Sequence, residues 1–82
     1  MLQTNTVFEQ LFNADPYGLT ETALATQVRS ALGGRPVGNA ELSEALGRLE
    51  VRRFIASTRN DDNDVVWSLT TEGRTEARIR FR

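Results

Sequence analysis

The sequence predicts a mainly α-helical protein with one small β-hairpin, of the α+β class. Three observations support this prediction. Apolar residues recur at helical spacing in three successive segments of the first 53 residues, and two short apolar runs then flank a tip rich in Asn and Asp. A capping threonine after the second run opens a last short helix. At 82 residues the chain has the length of one domain, so we expect residues 1–82 to form a single unit.

The first helix is predicted within residues 1–16. Thr6 and Glu9 have the spacing of a capping box with Thr6 as the N-cap. The segment 15–18 predicts a type I turn with Pro16 in its second position. One face of the helix carries more apolar surface than one small core needs, and we therefore expect a homodimer that uses this helix or the C-terminal one. The apolar face consists of Val7, Phe8, Leu11 and Phe12.

Residues 19–53 predict two further helices joined by a turn. Thr20 reads as the N-cap of the first, and Gly33-Gly34 ends it, with one glycine in the left-handed C-cap conformation. Gly38 or Asn39 caps the second. The side of the first that faces the core is predicted to carry Leu24, Val28, Ala31 and Leu32, and that of the second Leu42, Ala45, Leu46 and Leu49.

Residues 54–69 predict the hairpin. A strand begins at Phe54, Ile55 and Ala56, residues 59–64 form a polar tip, and residues 65–69 return. Alternation places Trp67 on one face with its neighbours two positions away on either side. This pattern favours a core role over a ligand pocket for the aromatic set Phe8, Phe12, Tyr17, Phe54 and Trp67.

Residues 70–82 predict a short C-terminal helix followed by a tail. Thr70 caps a helix that runs through Ala77, and the tail 78–82 is expected to be exposed or bound to a partner. This segment carries four Arg and two Glu, which is a charge of +2. A solvated tail, a phosphate contact and docking onto an acidic segment, such as the hairpin tip of a second copy, all fit that charge.

The composition excludes several function classes. The chain has neither Cys nor His, so it lacks the usual general base and the commonest zinc ligands. We therefore expect no enzyme, no cofactor and no metal site. The hairpin tip places Asp61, Asp62 and Asp64 together, but the bending Gly and distal Glu of a calcium loop do not follow. These aspartates therefore predict a solvated tip.

The location of the protein is predicted from what the sequence lacks. No apolar run is long enough to span a membrane, and the N-terminus has no signal-peptide pattern. We therefore expect a cytoplasmic protein without a membrane partner. The net charge of −1 gives no overall attraction to nucleic acid.

The predicted order is helix, helix, turn, helix, strand, tip, strand, helix. Three helices followed by a hairpin can bury their apolar faces in one core, and this is the winged helix-turn-helix arrangement. In that arrangement residues 1–16 are the N-terminal helix, 19–53 the helix-turn-helix, 54–69 the wing, and 70–82 the short C-terminal helix and tail.

Two stretches carry a family resemblance. Residues 45–55, ALGRLEVRRFI, resemble the passage from recognition helix to wing in bacterial winged-helix regulators, where the pattern is roughly aL-x-x-LE-x-x-G-x-I. Residues 66–74, VWSLTTEGR, resemble their wing exit, Y-x-LT-x-x-G. The Tyr17-Gly18 pair, its distance to Leu49-Glu50 and the intervening Gly33-Gly34 are most similar to the PadR family, with MarR second. The resemblance covers about residues 17–77 and implies a DNA-binding transcriptional regulator.

The sequence departs from this family pattern in three places. Arg53 stands where a Gly usually follows the recognition helix, which leaves open a different exit from the helix. The long dimerisation helix that PadR regulators carry after the wing is nearly absent. The wing tip, residues 60–64, is acidic, whereas wings of the family that grip DNA are often basic.

The predicted DNA contacts lie opposite the apolar stripe of the helix 39–53. Helical geometry points Ala40, Glu44, Gly47 and Val51 away from the core, flanked by Ser43 and Arg48. Arg48 can contact guanine, whereas Glu44 would repel phosphates. With flanking residues added, the predicted DNA-binding set is Arg35, Asn39, Ser43, Glu44, Gly47, Arg48, Arg52 and Arg59.

Two functions from different classes fit the sequence. One is a DNA-binding transcriptional regulator that addresses two half-sites as a dimer. The other is a winged-helix module that binds a protein partner and no DNA. Residues 39–51 carry one Arg and three Glu, a charge of −2, and the arginines at 35, 52 and 53 raise it to +1. This balance predicts weak, salt-sensitive DNA binding at best.

Overall fold

A computed structural model describes residues 4–81, and it shows four helices and a three-stranded antiparallel sheet within that range. The α+β class is confirmed, and the predicted helices and hairpin strands occur in the predicted order, with one additional short strand between the first two helices. Residues 1–3 of the predicted N-terminal segment and Arg82 of the predicted tail lie outside the described residues. The elements are α1 Thr4–Ala14, β1 Leu19–Thr20, α2 Glu21–Ala31, α3 Asn39–Val51, β2 Ile55–Arg59, β3 Val65–Leu69 and α4 Thr71–Arg80.

The start and the end of α1 differ from the prediction. Thr6 lies inside the helix and is not its N-cap, because the helix already includes Thr4 and Asn5. A hydrogen bond from Arg80 Nη1 to Asn5 Oδ1, at 2.8 Å, stabilises this additional part. At the other end the Tyr17 amide donates to the carbonyl of Ala14 at 2.8 Å, and the Asp15–Pro16 peptide is cis. Proline therefore holds the third position of this turn, and the predicted type I turn is wrong.

The apolar face of α1 is used within the chain. Val7, Phe8 and Leu11 are at most 1% exposed, and Phe12 is half-buried against the same core. The excess apolar surface from which we expected a homodimer through this helix is therefore absent, because α2, α3 and α4 cover it.

The ends of α2 follow the prediction. The side chain of Thr20 accepts a hydrogen bond from the Ala23 amide at 3.2 Å, which confirms the N-cap. Gly33 and Gly34 both have positive φ, at 73° and 88°, so the predicted left-handed C-cap is confirmed and extends over two residues.

The predicted core face of α2 needs one correction. Leu24 and Val28 are fully buried and Leu32 packs against the core, whereas Ala31 is exposed. Ala31 is the last residue of the helix, and its short side chain does not reach the core.

Helix α3 has the predicted rotation. It begins after Gly38, and Leu42, Ala45, Leu46 and Leu49 are at most 4% exposed. Its exit resembles that of a helix ended by glycine. Arg53 has φ 64°, its amide donates to the carbonyl of Glu50 at 2.9 Å, and the Phe54 amide donates to Leu49 at 3.1 Å. Arg53 therefore adopts the left-handed conformation that usually favours glycine. The chain leaves the helix as it would with glycine at this position.

The sheet has the order β1-β3-β2. The hairpin of β2 and β3 is confirmed, with Ile55 opposite Leu69 and Arg59 opposite Val65. The two-residue strand β1 was not predicted, and it pairs Leu19 with Trp67. Trp67 is buried on the core face, and its Nε1 donates to Glu21 Oε1 at 3.3 Å. The sheet therefore joins the start of α2 to the hairpin.

Helix α4 is longer than predicted. The N-cap at Thr70 is confirmed, but the helix continues past Ala77 to Arg80. Residues 78–80 of the predicted tail are exposed, as expected, although they belong to the helix, whereas Phe81 is half-buried. Phe81 packs edge-on against Phe8 at 5.5 Å, and the Arg80 guanidinium lies 5.4 Å from the same ring. Aromatic and cation–π contacts therefore hold this end of the chain on the core.

One predicted core residue lies elsewhere. Phe8 stacks on Phe54 at 5.4 Å, in agreement with the predicted aromatic core, but Tyr17 is 78% exposed. Tyr17 is the last residue of the turn after α1, and most of its side chain is open to solvent. No helix among residues 4–81 has the length and apolarity needed to cross a membrane.

An ion pair connects the ends of α1 and α4. Arg74 donates from Nε and Nη2 to the two carboxylate oxygens of Asp15, both at 2.7 Å. The Asp15 side chain is 16% exposed. The hydrogen bonds from Arg74 are the main cause that lowers the pKa of Asp15 below its usual value of 3.8.

Candidate nucleic-acid interface

The outward face of α3 is open to solvent. Ala40, Ser43, Glu44 and Arg48 are exposed, and Val51 is 84% exposed. These residues lie opposite the buried leucines of the same helix, as predicted. The face combines small side chains with one cation and one anion, so a partner can approach the helix backbone closely along most of its length.

Gly47 is the centre of this face. A Cβ placed on this residue would meet no atom within 4 Å. The packing of the chain therefore does not require glycine here, although glycine inside a helix costs about 0.5–1 kcal/mol relative to alanine. The absence of a side chain leaves a shallow depression between the side chains that flank it.

The charge on this face is compensated locally. Arg48 forms an ion pair with Glu44, one helical turn earlier, and both side chains are more than half exposed. Arg48 is the basic residue of the last turn of α3, and Glu41, Glu44 and Glu50 make the charge of residues 39–51 equal to −2. Any polyanion that uses Arg48 must therefore compete with Glu44.

The structure brings only part of the predicted set together. Glu44, Gly47, Arg48 and Arg52 line one open groove between α3 and the start of α1. Asn39 lines a second groove, between α2 and the start of α3. Arg35, Ser43 and Arg59 line neither groove. Arg35 lies in the exposed connection before α3, and Ser43 on the exposed face of that helix.

The groove between α2 and α3 is also lined by polar residues that are not in the predicted DNA-binding set. Thr22, Thr26 and Arg29 line it together with Asn39. They occupy the side of α2 opposite Leu24 and Val28, so the helical spacing that identified the buried side could also have identified this one. Thr26 Oγ1 donates to the carbonyl of Thr22 at 3.0 Å, and Arg29 is exposed.

Side-chain to backbone hydrogen bonds within the wing hold its tip. Asn60 Oδ1 accepts hydrogen bonds from the amides of Asp62 and Asp64, at 3.0 and 2.9 Å. Arg59 Nη1 donates to the carbonyl of Asn63 at 2.9 Å. The aspartates of the tip are exposed, and within residues 4–81 no group of three or more carboxylates is arranged to hold a metal ion. The tip therefore presents negative charge to solvent.

Similarity to solved structures identifies the fold of this chain. No protein-family model matches the chain, and no curated protein matches its sequence. Among solved structures, a transcriptional regulator from Clostridium thermocellum, Cth-833, is similar with a TM-score of 0.71 and 19% identity, over 94% of this chain and 74% of that one. The adhesin competence repressor AdcR of Streptococcus pyogenes has a TM-score of 0.66 and 20% identity, over 93% of this chain and 52% of its own.

A variant of Lactococcus lactis ZitR is similar with a TM-score of 0.65 and 22% identity, over 93% of this chain and 49% of that protein. The chain thus spans about half the length of ZitR and AdcR. Together with the element order and sheet topology, these similarities show a winged-helix fold. They do not distinguish the PadR family from other winged-helix families.

Proposed function

We propose that this chain is the DNA-binding domain of a winged-helix transcriptional regulator, with α3 as its recognition helix. The observation that carries the proposal is the outward face of α3. It is exposed along its length, free of bulky side chains at its centre, and belongs to a fold shared with transcriptional regulators. A helix with a narrow outer face fits the major groove of duplex DNA.

The proposed contacts extend the predicted set into α2. Arg48 would contact a base edge, while Ser43 and Asn39 would contact bases or phosphates from the same helix. Arg35 and Arg52 flank α3 at its two ends, and Arg29 with Thr22 would contact the phosphate backbone from α2. Arg59 is the proposed phosphate contact of the wing, and the negative charge of the tip beside it would weaken that contact. We propose no catalytic step, cofactor or metal for this domain.

The proposed regulator is PadR-like, as the sequence resemblance implies. It binds DNA as a dimer, with one half-site for each copy. A dimer doubles the number of phosphate contacts, and this matters for a domain whose recognition helix carries a charge of −2.

A protein-interaction module is the second candidate. Two observations favour it, namely the ion pair that compensates Arg48 and the negative charge of the wing tip. Both would weaken contacts to phosphate and neither would hinder a protein partner.

Binding to duplex DNA at low and moderate salt tests the proposal. The probes are fragments of the promoter region of the gene itself and an unrelated duplex of the same length, measured by retardation and by fluorescence anisotropy. We expect binding that weakens steeply as salt rises, with a preference for the promoter fragments. Failure to bind any duplex at low salt would leave the protein-interaction module as the better account.

A further inference from the structure

We propose that a second copy of this chain pairs with the free edge of β2, so that two wings form one continuous six-stranded antiparallel sheet. The strand order β1-β3-β2 leaves β2 with a neighbour on one side only among the described residues. Four of its five residues, Ala56–Arg59, are exposed. An edge strand of this kind is a template for another strand.

The hydrogen bonds of the hairpin show which backbone groups are free. The Thr70 amide donates to the carbonyl of Phe54 at 3.0 Å, and the Asn60 amide donates to the carbonyl of Asp64 at 3.1 Å. Even-numbered residues of this strand therefore bond to β3, because the direction of the backbone groups alternates along an antiparallel strand. The amides and carbonyls of Ile55, Ser57 and Arg59 point to the free edge.

The edge carries few of the features that prevent pairing. Proteins protect edge strands with lysine, proline, bulges or very short strands. β2 has five residues paired one-to-one with β3, without a bulge, and it contains no lysine or proline. Its one charged residue, Arg59, is held by the carbonyl of Asn63 in its own wing.

One register satisfies both the hydrogen bonds and the charges. A two-fold axis at Ser57 pairs this residue with Ser57 of the second copy and Ile55 with Arg59, so that every free backbone group of β2 finds a partner. Since the strands run antiparallel, this register brings the wing tip of one copy, with Asp61 and Asp62, next to the start of β2 in the second copy, which follows shortly after Arg52 and Arg53. An axis at Arg59 would instead place the two Arg59 side chains opposite each other, and an axis at Ile55 would shorten the paired region.

The charges that meet in this register have no partner within one copy. Arg52, Arg53, Asp61 and Asp62 take part in no ion pair among residues 4–81, and all four are exposed. Each acidic tip thus meets the two arginines at the exit of the partner's α3, once at each end of the sheet. This complementarity identifies the occupant of the edge as a second copy.

The first experiment removes the central hydrogen bond. Sedimentation equilibrium over the micromolar range compares Ser57→Pro with Ser57→Ala. Proline deletes the amide at the free edge and leaves the bonds to β3 in place. Since the axis uses two backbone hydrogen bonds that the substitution removes, we expect dimerisation to weaken roughly tenfold or more in Ser57→Pro. Ser57→Ala should dimerise like the wild type.

The second experiment exploits the charges and does not depend on how proline is tolerated. One variant carries Asp61→Arg and Asp62→Arg, and the other carries Arg52→Asp and Arg53→Asp. At low salt each should be monomeric at concentrations where the wild type is a dimer. An equimolar mixture should form a heterodimer, because both ends of the sheet then join opposite charges.

The proposal is overturned if the wild type is monomeric throughout, if a folded Ser57→Pro variant dimerises like the wild type, or if the mixture forms no heterodimer. These measurements contain no DNA, so they are independent of the proposed function. A dimer that binds no duplex would refute DNA binding and leave the interface standing.

Discussion

Arg48 forms an ion pair with Glu44 on the exposed face of α3, one helical turn apart. The residue best placed to contact a base is therefore also the residue whose charge is compensated within the helix. For an exposed pair such contacts contribute little to stability. The ion pair has a larger effect on the binding of a polyanion such as DNA, because the polyanion must displace Glu44 or tolerate its negative charge.

This pair gives the sharpest test of DNA binding. Glu44→Gln should strengthen binding to any duplex, because it removes repulsion without adding a base-specific contact. Arg48→Glu should weaken binding to the promoter fragment by about tenfold or more, as expected for loss of a guanine contact. Both differences should shrink as salt rises, since the long-range part is screened. Anisotropy titrations at two salt concentrations measure the effects, and two variants that bind like the wild type would mean that α3 does not contact DNA.

Leu49 tests the packing of α3. This side chain is 1% exposed, so Leu49→Ala should lower the free energy of unfolding by about 2–5 kcal/mol. Val51→Ala is the matched control, because Val51 is 84% exposed and its truncation should change stability by less than about 0.5 kcal/mol. Urea unfolding followed by circular dichroism measures both. Similar effects of the two substitutions would contradict the observed rotation of the helix.

Arg53 tests the backbone at the exit of α3. Its φ of 64° is unfavourable for a residue with a Cβ, so Arg53→Gly should raise the free energy of unfolding by about 1 kcal/mol. Arg53→Ala retains the Cβ and should give no such gain. Thermal and urea unfolding of the two variants provide the measurement. A glycine variant no more stable than the alanine variant would show that Arg53 does not occupy the left-handed region.

Replacing each of two helical glycines with alanine should change the stability of the protein in opposite directions. A Cβ on Gly73 would lie 1.8 Å from the carbonyl oxygen of Phe54, so Gly73→Ala must push α4 away from the hairpin and should destabilise the protein by about 1–3 kcal/mol or more. Gly47 has open space above it, and Gly47→Ala should stabilise the helix by about 0.5–1 kcal/mol. Denaturant unfolding of the pair checks the sign of each change.

Asp15 should make stability dependent on pH. Its pKa is lowered in the folded state, so the pair with Arg74 contributes stability that is present above the ordinary value of 3.8 and is lost as pH falls through the lower folded value. Asp15→Asn should therefore unfold at a lower temperature than the wild type near neutral pH, with the difference disappearing in strong acid. Asp64→Asn, at the exposed wing tip and outside the proposed dimer contacts, is the control and should leave the melting temperature unchanged. Melting curves across the acidic range test both variants.

The parts predicted correctly from sequence are those that local chemistry determines. The threonine caps at positions 20 and 70 and the spacing of the leucines in α3 are properties of a few neighbouring residues, and all of them are observed. The misses depend on distant contacts. Strand β1 consists of only two residues and exists through its pairing with β3. The extension of α4 to Arg80 is accompanied by contacts with the rings of Phe8 and Phe54, which no local pattern reveals.

The predicted binding set shows the same division. Helical periodicity is sufficient to find the outward face of α3, because the buried leucines determine which residues lie opposite. The ion pair of Arg48 with Glu44 follows from their spacing of four residues, although the predicted set assigns the two side chains separate roles. The polar side of α2 lies outside the predicted set, although Arg29 of that helix and Asn39 line the same groove.

The indole of Trp67 lies between the wing and the helix-turn-helix, where it donates a hydrogen bond to Glu21 in the first turn of α2. It is the only tryptophan in the chain. Its fluorescence therefore reports on the joint between these two parts, without any added label. Emission would shift to longer wavelength if the wing tilted away from α2 and water entered, even while every helix stayed intact. Trp67 is therefore an intrinsic fluorescence probe of the contact between the wing and the helices beside it.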